Sequence, residues 1–398
     1  MDQTTSLFSQ LLRVISRSEF QALVIKHGAE RHAKGFSSWT QFVAMLFSQF
    51  ARAESLREIC NGLSCCEGKL VHLGVGVAPN KSTLSYANEH RPAELFEDLF
   101  WSLSNRFRAE NRLGRPRTFR FKNKLLSFDS TTIPLCLALF PWARFRRAKG
   151  GVKAHVLLDH SDYMPAFVSI TEAKQHDLGQ AYTMPLNPGS IVALDKAYID
   201  YELFGHWNAN GIFFVTRMKE NAVYEILQER DLPKNKNILR DQIIQLTGPV
   251  VQGKYPGPLR RVEVWDEENE RVIVLLTNHL EFGSTTISFI YKDRWKIEIF
   301  FKTLKQNLKI KTFVGTSENA LRIQIWTALI SLLLFKWLHH LSKAVWSLST
   351  FTAMLRMNLF TYRSLGDWLK DPRRTPPIEP PQYSLPLAGF GQALGQTG

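Results

Sequence analysis

Residues 191–195 read Ile-Val-Ala-Leu-Asp, four apolar side chains in unbroken succession followed by an acid. A strand with no polar alternation has two buried faces, so its sheet needs cover on both sides, which is the arrangement of α/β proteins. The neighbouring sequence supports this. Residues 124–133, 152–159 and 164–173 read as strands, a short helical stretch lies near 179–184, and 190–199 is the strongest strand signal. Residues 201–211 read as a helix ending at Gly211, and 212–218 as a further strand. Three strands, helix, strand, helix, strand predicts a sheet with helices packed on it.

Two of these strands carry an acid after an apolar run. Asp129 follows Leu125, Leu126 and Phe128; Asp195 follows Ile191–Leu194. A buried, unpaired carboxylate is costly, but it is tolerated at the open carboxyl end of a sheet, where ligands bind. Two such acids on neighbouring strands suit a divalent cation. Each alone also reads as a turn residue or helix cap just past a strand.

A third acid stands in a basic, helical segment, 291–310, where Glu298 is flanked by cations. On a helical wheel at about 100° per residue, Tyr291, Arg294, Glu298 and Lys305 fall within roughly 60° of one another. Ile297, Phe300, Phe301, Leu304 and Leu308 form an adjoining apolar face. Arg294 and Glu298 also read as an ordinary i,i+4 ion pair. Three carboxylates supply hard oxygen ligands for two Mg²⁺ ions at a phosphodiester. The nearby cations and phenol can hold its phosphates.

The whole chain has 398 residues, enough for two or three domains, and a formal net charge of +14, which favours a polyanionic partner. Residues 1–118 read as a helical N-terminal region, with a helix start at Ser82 and a break at Pro92. Helix, break, helix is compatible with a DNA reader. The stretch 105–124 carries eight Lys or Arg and one Glu, and reads as a basic linker. Residues 119–218 form the first part of a catalytic core and 219–284 a β-rich insertion, with a hairpin whose polar turn is Asp266–Glu270. Residues 285–345 form the second part of the core; 346–398 end in a Pro-rich tail read as disordered. The apolar run Ile325–Phe335 is too short to span a bilayer and reads as a core helix. The start is no signal peptide, and the scattered Cys60, Cys65, Cys66 and Cys136, even with His72, fit no zinc spacing and are compatible with a reducing cytosol.

Strand–Asp, strand–Asp and helix–Glu, with Tyr-x2-Arg-x3-Glu-x6-Lys about Glu298, resembles the DDE transposases of the IS4 family and their YREK signature. Asp129-Ser-Thr-Thr-Ile resembles the first-acid motif. Asp195-Lys-Ala-Tyr198 resembles the second, with Ala197 where the family pattern has Gly. The resemblance covers about 119–340. It implies an α/β fold with an RNase H-like core, a β-rich insertion, and a preceding all-helical DNA-binding region. It implies a DNA transposase that cuts and joins DNA with Asp129, Asp195 and Glu298 as catalytic and metal-binding residues and Mg²⁺, or Mn²⁺ in substitution, as cofactor. Tyr291, Arg294 and Lys305 become phosphate-binding residues. The implied partners are double-stranded DNA, as element ends and target, and a second copy in a synaptic dimer, with no membrane, in a bacterial cytoplasm at the nucleoid.

Trp265 in the insertion is a candidate to stack on a flipped base or simply to pack the hairpin. Lys153, Arg144 and Arg146, in a stretch that interleaves aromatics with cations, can line a DNA groove or a solvated loop. His155 and His176 read as structural, and Asp159, Asp177 and Asp200 as rival acids, Asp200 opening the next helix. A structure-selective nuclease of the same chemistry and a non-catalytic DNA-binding protein remain the competing readings.

Overall fold

A computed structural model describes residues 5–374, apart from 32, 67, 114–118, 137, 147–148, 175–176, 235–236, 249–250, 252, 308–312 and 343–345. The tail expected to be disordered begins at Asp371; from 375 onward it lies outside the described residues.

Ten strands form one sheet: β1 (Leu125–Leu135), β2 (Arg144–Arg146), β3 (Lys149–Asp159), β4 (Met164–Glu172), β5 (Ile191–Leu194), β6 (Phe213–Arg217), β7 (Tyr224–Glu229), β8 (Ile238–Leu246), β9 (Leu259–Asp266) and β10 (Arg271–Thr277). Their spatial order is β2, β3, β1, β5, β6, β10, β9, β8, β7, with β4 also paired to β3. β1, β3 and β4 are antiparallel neighbours, whereas β5 runs parallel to β1, and β6 parallel to β5. The stretch 219–284 extends this same sheet through β10, antiparallel to β6. Its hairpin pairs Trp265 with Val272 across the turn.

Among the described residues, six α-helices precede the sheet: α1 (Leu7–Leu12), α2 (Arg17–Lys26), α3 (Ser38–Ala51), α4 (Leu56–Ser64), α5 (Lys81–His90) and α6 (Glu94–Ala109). Ser16, Ser37, Ser55 and Asn80 cap four of them by accepting a first-turn backbone N–H. The helix expected from Ser82 therefore starts one residue earlier, with Asn80 as its cap. It stops at Arg91, whose extended backbone suits the residue before Pro92.

The basic stretch is not wholly a linker. α6 runs to Ala109, so Arg106 and Arg108 are helical; they pair with Glu19 (3.1 Å) and buried Asp162 (2.6 Å). Arg112 pairs with Glu110 and Lys124 with Asp159 (3.2 Å), so among the described residues four of the eight cations have acidic partners.

The later helices are α7 (Asp177–Ala181), α8 (Tyr201–Ala209), α9 (Ser284–Asp293), α10 (Lys296–Asn307), α11 (Glu318–Ser342), α12 (Leu348–Asn358) and α13 (Leu365–Lys370). α11 is longer than the apolar run suggested. It is long and apolar enough to cross a membrane, but 89% of its most apolar window is buried inside the protein. It packs on α3, α5 and α6, and shares one hydrophobic cluster with the N-terminal helices, α10 and one side of β1, β3 and β4. On the opposite face α8 covers β5 and β6 through Leu203, Phe204 and Trp207, with Phe204 stacked on Phe214 at 4.0 Å. α9 covers the first face of β5 and β6 through Ile287 and Ile290. β5 is therefore buried on both faces, as its composition requires.

The entry to α9 is held by a buried ion pair. Arg260 on β9 bonds Asp241 on β8 twice (2.8 and 2.7 Å) and also donates to the Phe282 carbonyl just ahead of α9; both side chains are almost fully buried. Removing one partner strands a charge. Arg260→Met should destabilise the protein by about 3–5 kcal/mol, whereas Arg260→Met combined with Asp241→Leu should recover much of the loss. Urea unfolding of the three proteins measures this.

Candidate active site

The parallel ladder between β1 and β5 pairs Leu125–Phe128 with Ile191–Leu194 and ends at Phe128 and Leu194. The next residue on each chain is an acid. β1 continues to Leu135 against β3, while the other chain leaves the sheet into a 3-10 turn, Lys196–Tyr198. Asp129 is thus not at a strand end. It sits mid-strand, where its strand loses its parallel neighbour, and Asp195 stands beside it in register.

Each acid is fixed locally. Asp129 Oδ1 accepts from the Ser130 amide (2.8 Å) and the Tyr198 hydroxyl (3.2 Å). Asp195 Oδ1 accepts from the Ala197 amide (3.1 Å), capping the 3-10 turn, and its Oδ2 accepts from Arg217 (3.0 Å). The reading of Asp195 as a cap just past a strand is thus met. Ala197 is not among the residues with positive φ, so a side chain is accommodated there without backbone strain, and the turn still delivers Tyr198 to Asp129.

The segment from Tyr291 is two helices rather than one. Tyr291 lies near the end of α9 and Glu298 in the first turn of α10. Between them Trp295, Ile297 and Glu298 donate to the carbonyls three residues back, a local tightening that re-aims the chain. The apolar face survives this break: Ile297, Phe300, Phe301 and Leu304 are buried, while Leu308 lies outside the described residues. Arg294, 8% exposed, reaches Glu298 (3.2 Å) and Asp129 (4.0 Å), and its charge also favours ionised Asp195. Tyr291 lies against the same guanidinium, whose carbon is 5.4 Å from the ring centre. Burial, foremost, raises the pKa of its phenol. Lys305 donates to the Thr132 carbonyl (3.0 Å), three residues beyond Asp129 on β1. Tyr291, Glu298 and both Asp residues therefore interact with one buried cation, Arg294, while Lys305 anchors α10 to β1 nearby.

The chemistry of this donor set fits divalent metal. It offers three hard carboxylates, partly exposed, gathered about a single positive group. As the side chains stand, no group of three acidic, His or Cys side chains among the described residues could hold an ion. Arg294 is the group the carboxylates share.

The remaining candidates spread out. Lys153 on β3 lies opposite Thr132, beside the site's strand. Trp265, 37% exposed, is on β9, three strands from β5. Arg144 and Arg146 form β2, but their side chains lie outside the described residues, as do His176 and the Asp177 side chain. His155 is buried against Thr171 (2.8 Å), Asp159 pairs with Lys124 (3.2 Å), and Asp200 caps α8. The four cysteines are free thiols. Arg217 was not singled out from the sequence, and Tyr198 only as the last residue of the second-acid motif. Arg217 had a usable signal, a charge at the end of the apolar strand Phe-Phe-Val-Thr-Arg, the same logic that marks the acids.

The two Asp residues are perturbed in opposite senses. Burial pushes the Asp129 carboxyl above the usual range despite the Ser130 amide and Arg294. Burial acts upward on Asp195 too, but the Ala197 amide and Arg217 outweigh it and hold that carboxyl below the usual range. A raised acid opposes folding fully above its folded pKa, and not at all below its unfolded pKa. A lowered acid contributes stability above its unfolded pKa, lost as pH falls through its folded pKa. In EDTA at neutral pH, Asp129→Asn should therefore raise the melting temperature and Asp195→Asn lower it. Both differences should fade on acidification, which melting curves across pH will follow.

Comparison with known proteins gives the family. Residues 120–334, just over half of the chain, match the transposase DDE domain family, and residues 3–76 match a domain of unknown function, DUF4372. A putative transposase of Sinorhizobium fredii, y4zB, is 31% identical over 312 residues, covering 76% of this chain and 83% of that protein. A probable transposase for insertion sequence element IS5377 of Geobacillus stearothermophilus is 29% identical over 291 residues, covering 72% and 74%. Among solved structures, the piggyBac transposase synaptic complex with hairpin DNA aligns over 94% of this chain and 83% of that one, at 12% identity and a TM-score of 0.44. The chain belongs to the transposase DDE domain family.

Proposed function

We propose that this protein binds the terminal inverted repeats of its own insertion sequence and carries out metal-dependent strand cleavage and strand transfer, as an IS4-type transposase with the YREK signature. In this reading β4, β3, β1, β5 and β6 are an RNase H-like core and residues 219–284 its insertion. The helical N-terminal region reads the element ends, two copies pair in the synaptic complex, and the work is done at the bacterial nucleoid. The observation that carries the proposal is the convergence of Asp129, Asp195 and Glu298 on one guanidinium where the parallel ladder opens.

Asp129, Asp195 and Glu298 would hold Mg²⁺, or Mn²⁺ in its place. Bound there, the metal would supply activation of the attacking water or 3′-hydroxyl and stabilisation of the leaving oxygen. Tyr198 and the Ser130 amide orient the Asp129 carboxylate, and Arg217 orients that of Asp195. Arg294, Lys305 and the Tyr291 phenol line the site with donors for the scissile and flanking phosphates. Lys153 adds a cation beside β1, and Trp265, with Arg144 and Arg146, would contact DNA further out.

A cleavage assay with Mg²⁺, on DNA carrying the repeats that flank the reading frame, tests the proposal. Asp129→Ala and Glu298→Gln should each lower cleavage by at least ~10²-fold. Tyr198→Phe should lower it by about tenfold, through a less well oriented ligand. Full activity in Asp129→Ala or Glu298→Gln would refute the mechanism.

A further inference from the structure

Asp293, the last residue of α9, stands immediately before Arg294 and the break that separates the two helices. Its Oδ2 accepts from His160 Nδ1 at 2.6 Å, and His160 Nε2 lies 2.6 Å from Ser127 Oγ. A carboxylate only accepts, so Nδ1 carries the proton, and in the neutral ring Nε2 accepts from the Ser127 hydroxyl. Tyr163 also donates to Asp293 (3.4 Å), with its ring edge-on to the imidazole. Ser127 is fully buried, and the His160 and Asp293 side chains are only 4% and 14% exposed.

The order Ser–His–Asp is that of a hydrolase triad, but a fully buried hydroxyl inside a sheet meets no substrate. What the chain of bonds joins is more telling. Ser127 precedes Asp129 by two residues on β1, and alternation along a strand puts both on the same face. His160 follows the end of β3, and its amide donates to the Leu125 carbonyl of β1. The strap therefore runs from the Asp129 strand, through one imidazole, to the residue before Arg294.

We infer that His160 is a positioning residue: with Ser127 and Asp293 it holds the α9–α10 break against β1, so that Arg294 and Glu298 face Asp129. Apolar packing seats each helix on its own layer, and the strap adds a polar tie at the break between them. Lys305 fixes α10 to β1 beyond Asp129; the imidazole strap fixes the chain on the near side. The inference rests on the proposed function for its consequence, but not for its geometry.

Amide hydrogen exchange and Mn²⁺ titration of the full-length chain test it. In His160→Ala and Asp293→Ala, exchange of residues 291–299 should rise at least tenfold and Mn²⁺ affinity fall at least fivefold. Asp293→Asn keeps an acceptor for Nδ1–H and should stay within twofold of the parent in both. Thr171→Val removes the buried hydrogen bond to His155 elsewhere on β3 and should change neither. Unaltered exchange at 291–299 in Asp293→Ala, or an equal effect from Thr171→Val, would overturn the positioning role. If His160→Ala does not fold, Asp293→Ala and Ser127→Ala decide by the same readouts. If exchange rises locally as expected but the parent binds no Mn²⁺, the strap stands and the proposed metal chemistry fails.

Discussion

The acidic cluster depends on where the pairing of β1 with β5 stops. Parallel strands in register carry Phe128 and Leu194 side by side, and the next position on each is a carboxylate. β1 keeps its partner on one side and loses it on the other, which leaves Asp129 buried enough to have a raised pKa yet open on the cleft side. Were the register shifted by one residue, Asp129 would point to the opposite face, among the apolar residues that meet α8. The closed, doubly buried strand Ile191–Leu194 prevents that slip, because each of its four residues already packs against a layer.

The third acid comes from far along the chain and needs more support. Arg260 and Asp241 tie two outer strands to the start of α9, Ile287 and Ile290 seat that helix on β5 and β6, and the Ser127–His160–Asp293 chain fastens its end. α10 then buries Ile297, Phe300, Phe301 and Leu304 in the same cluster as α11 and the N-terminal helices. The four-strand extension between Asp195 and Glu298 thus widens, with Ile238, Val262, Val264 and Leu275, the apolar surface of β5 and β6 on which α9 is seated, and the site is framed by elements from both ends of the chain.

Much of this was legible in the residues themselves. The apolar run at 191–194 called for a doubly covered sheet, and the strand, helix and hairpin pattern followed from period and turn chemistry. The acids stood out because charge at the end of an apolar strand is costly unless used. What misled was the wheel. It treats 291–310 as one rigid helix, and no proline or glycine marks the break at Arg294–Trp295. That break arises from hydrogen bonds tightened to the third residue back. The basic stretch misled likewise, because Arg106 and Arg108 have partners at Glu19 and Asp162, far away in sequence.

The sequence by itself determined the period of most elements and the buried character of β5, and it marked three acids as candidates, because these depend on side-chain chemistry and local spacing. Only the tertiary structure decided that Arg294 lies among all three carboxylates, that Tyr198 reaches across to Asp129, that Arg217 sets the ionisation of Asp195, and that a buried imidazole joins β1 to the end of α9. Apart from the i,i+4 pair of Arg294 with Glu298, each of these joins residues distant in the chain, and its geometry is fixed by strand register and helix seating that no local pattern encodes.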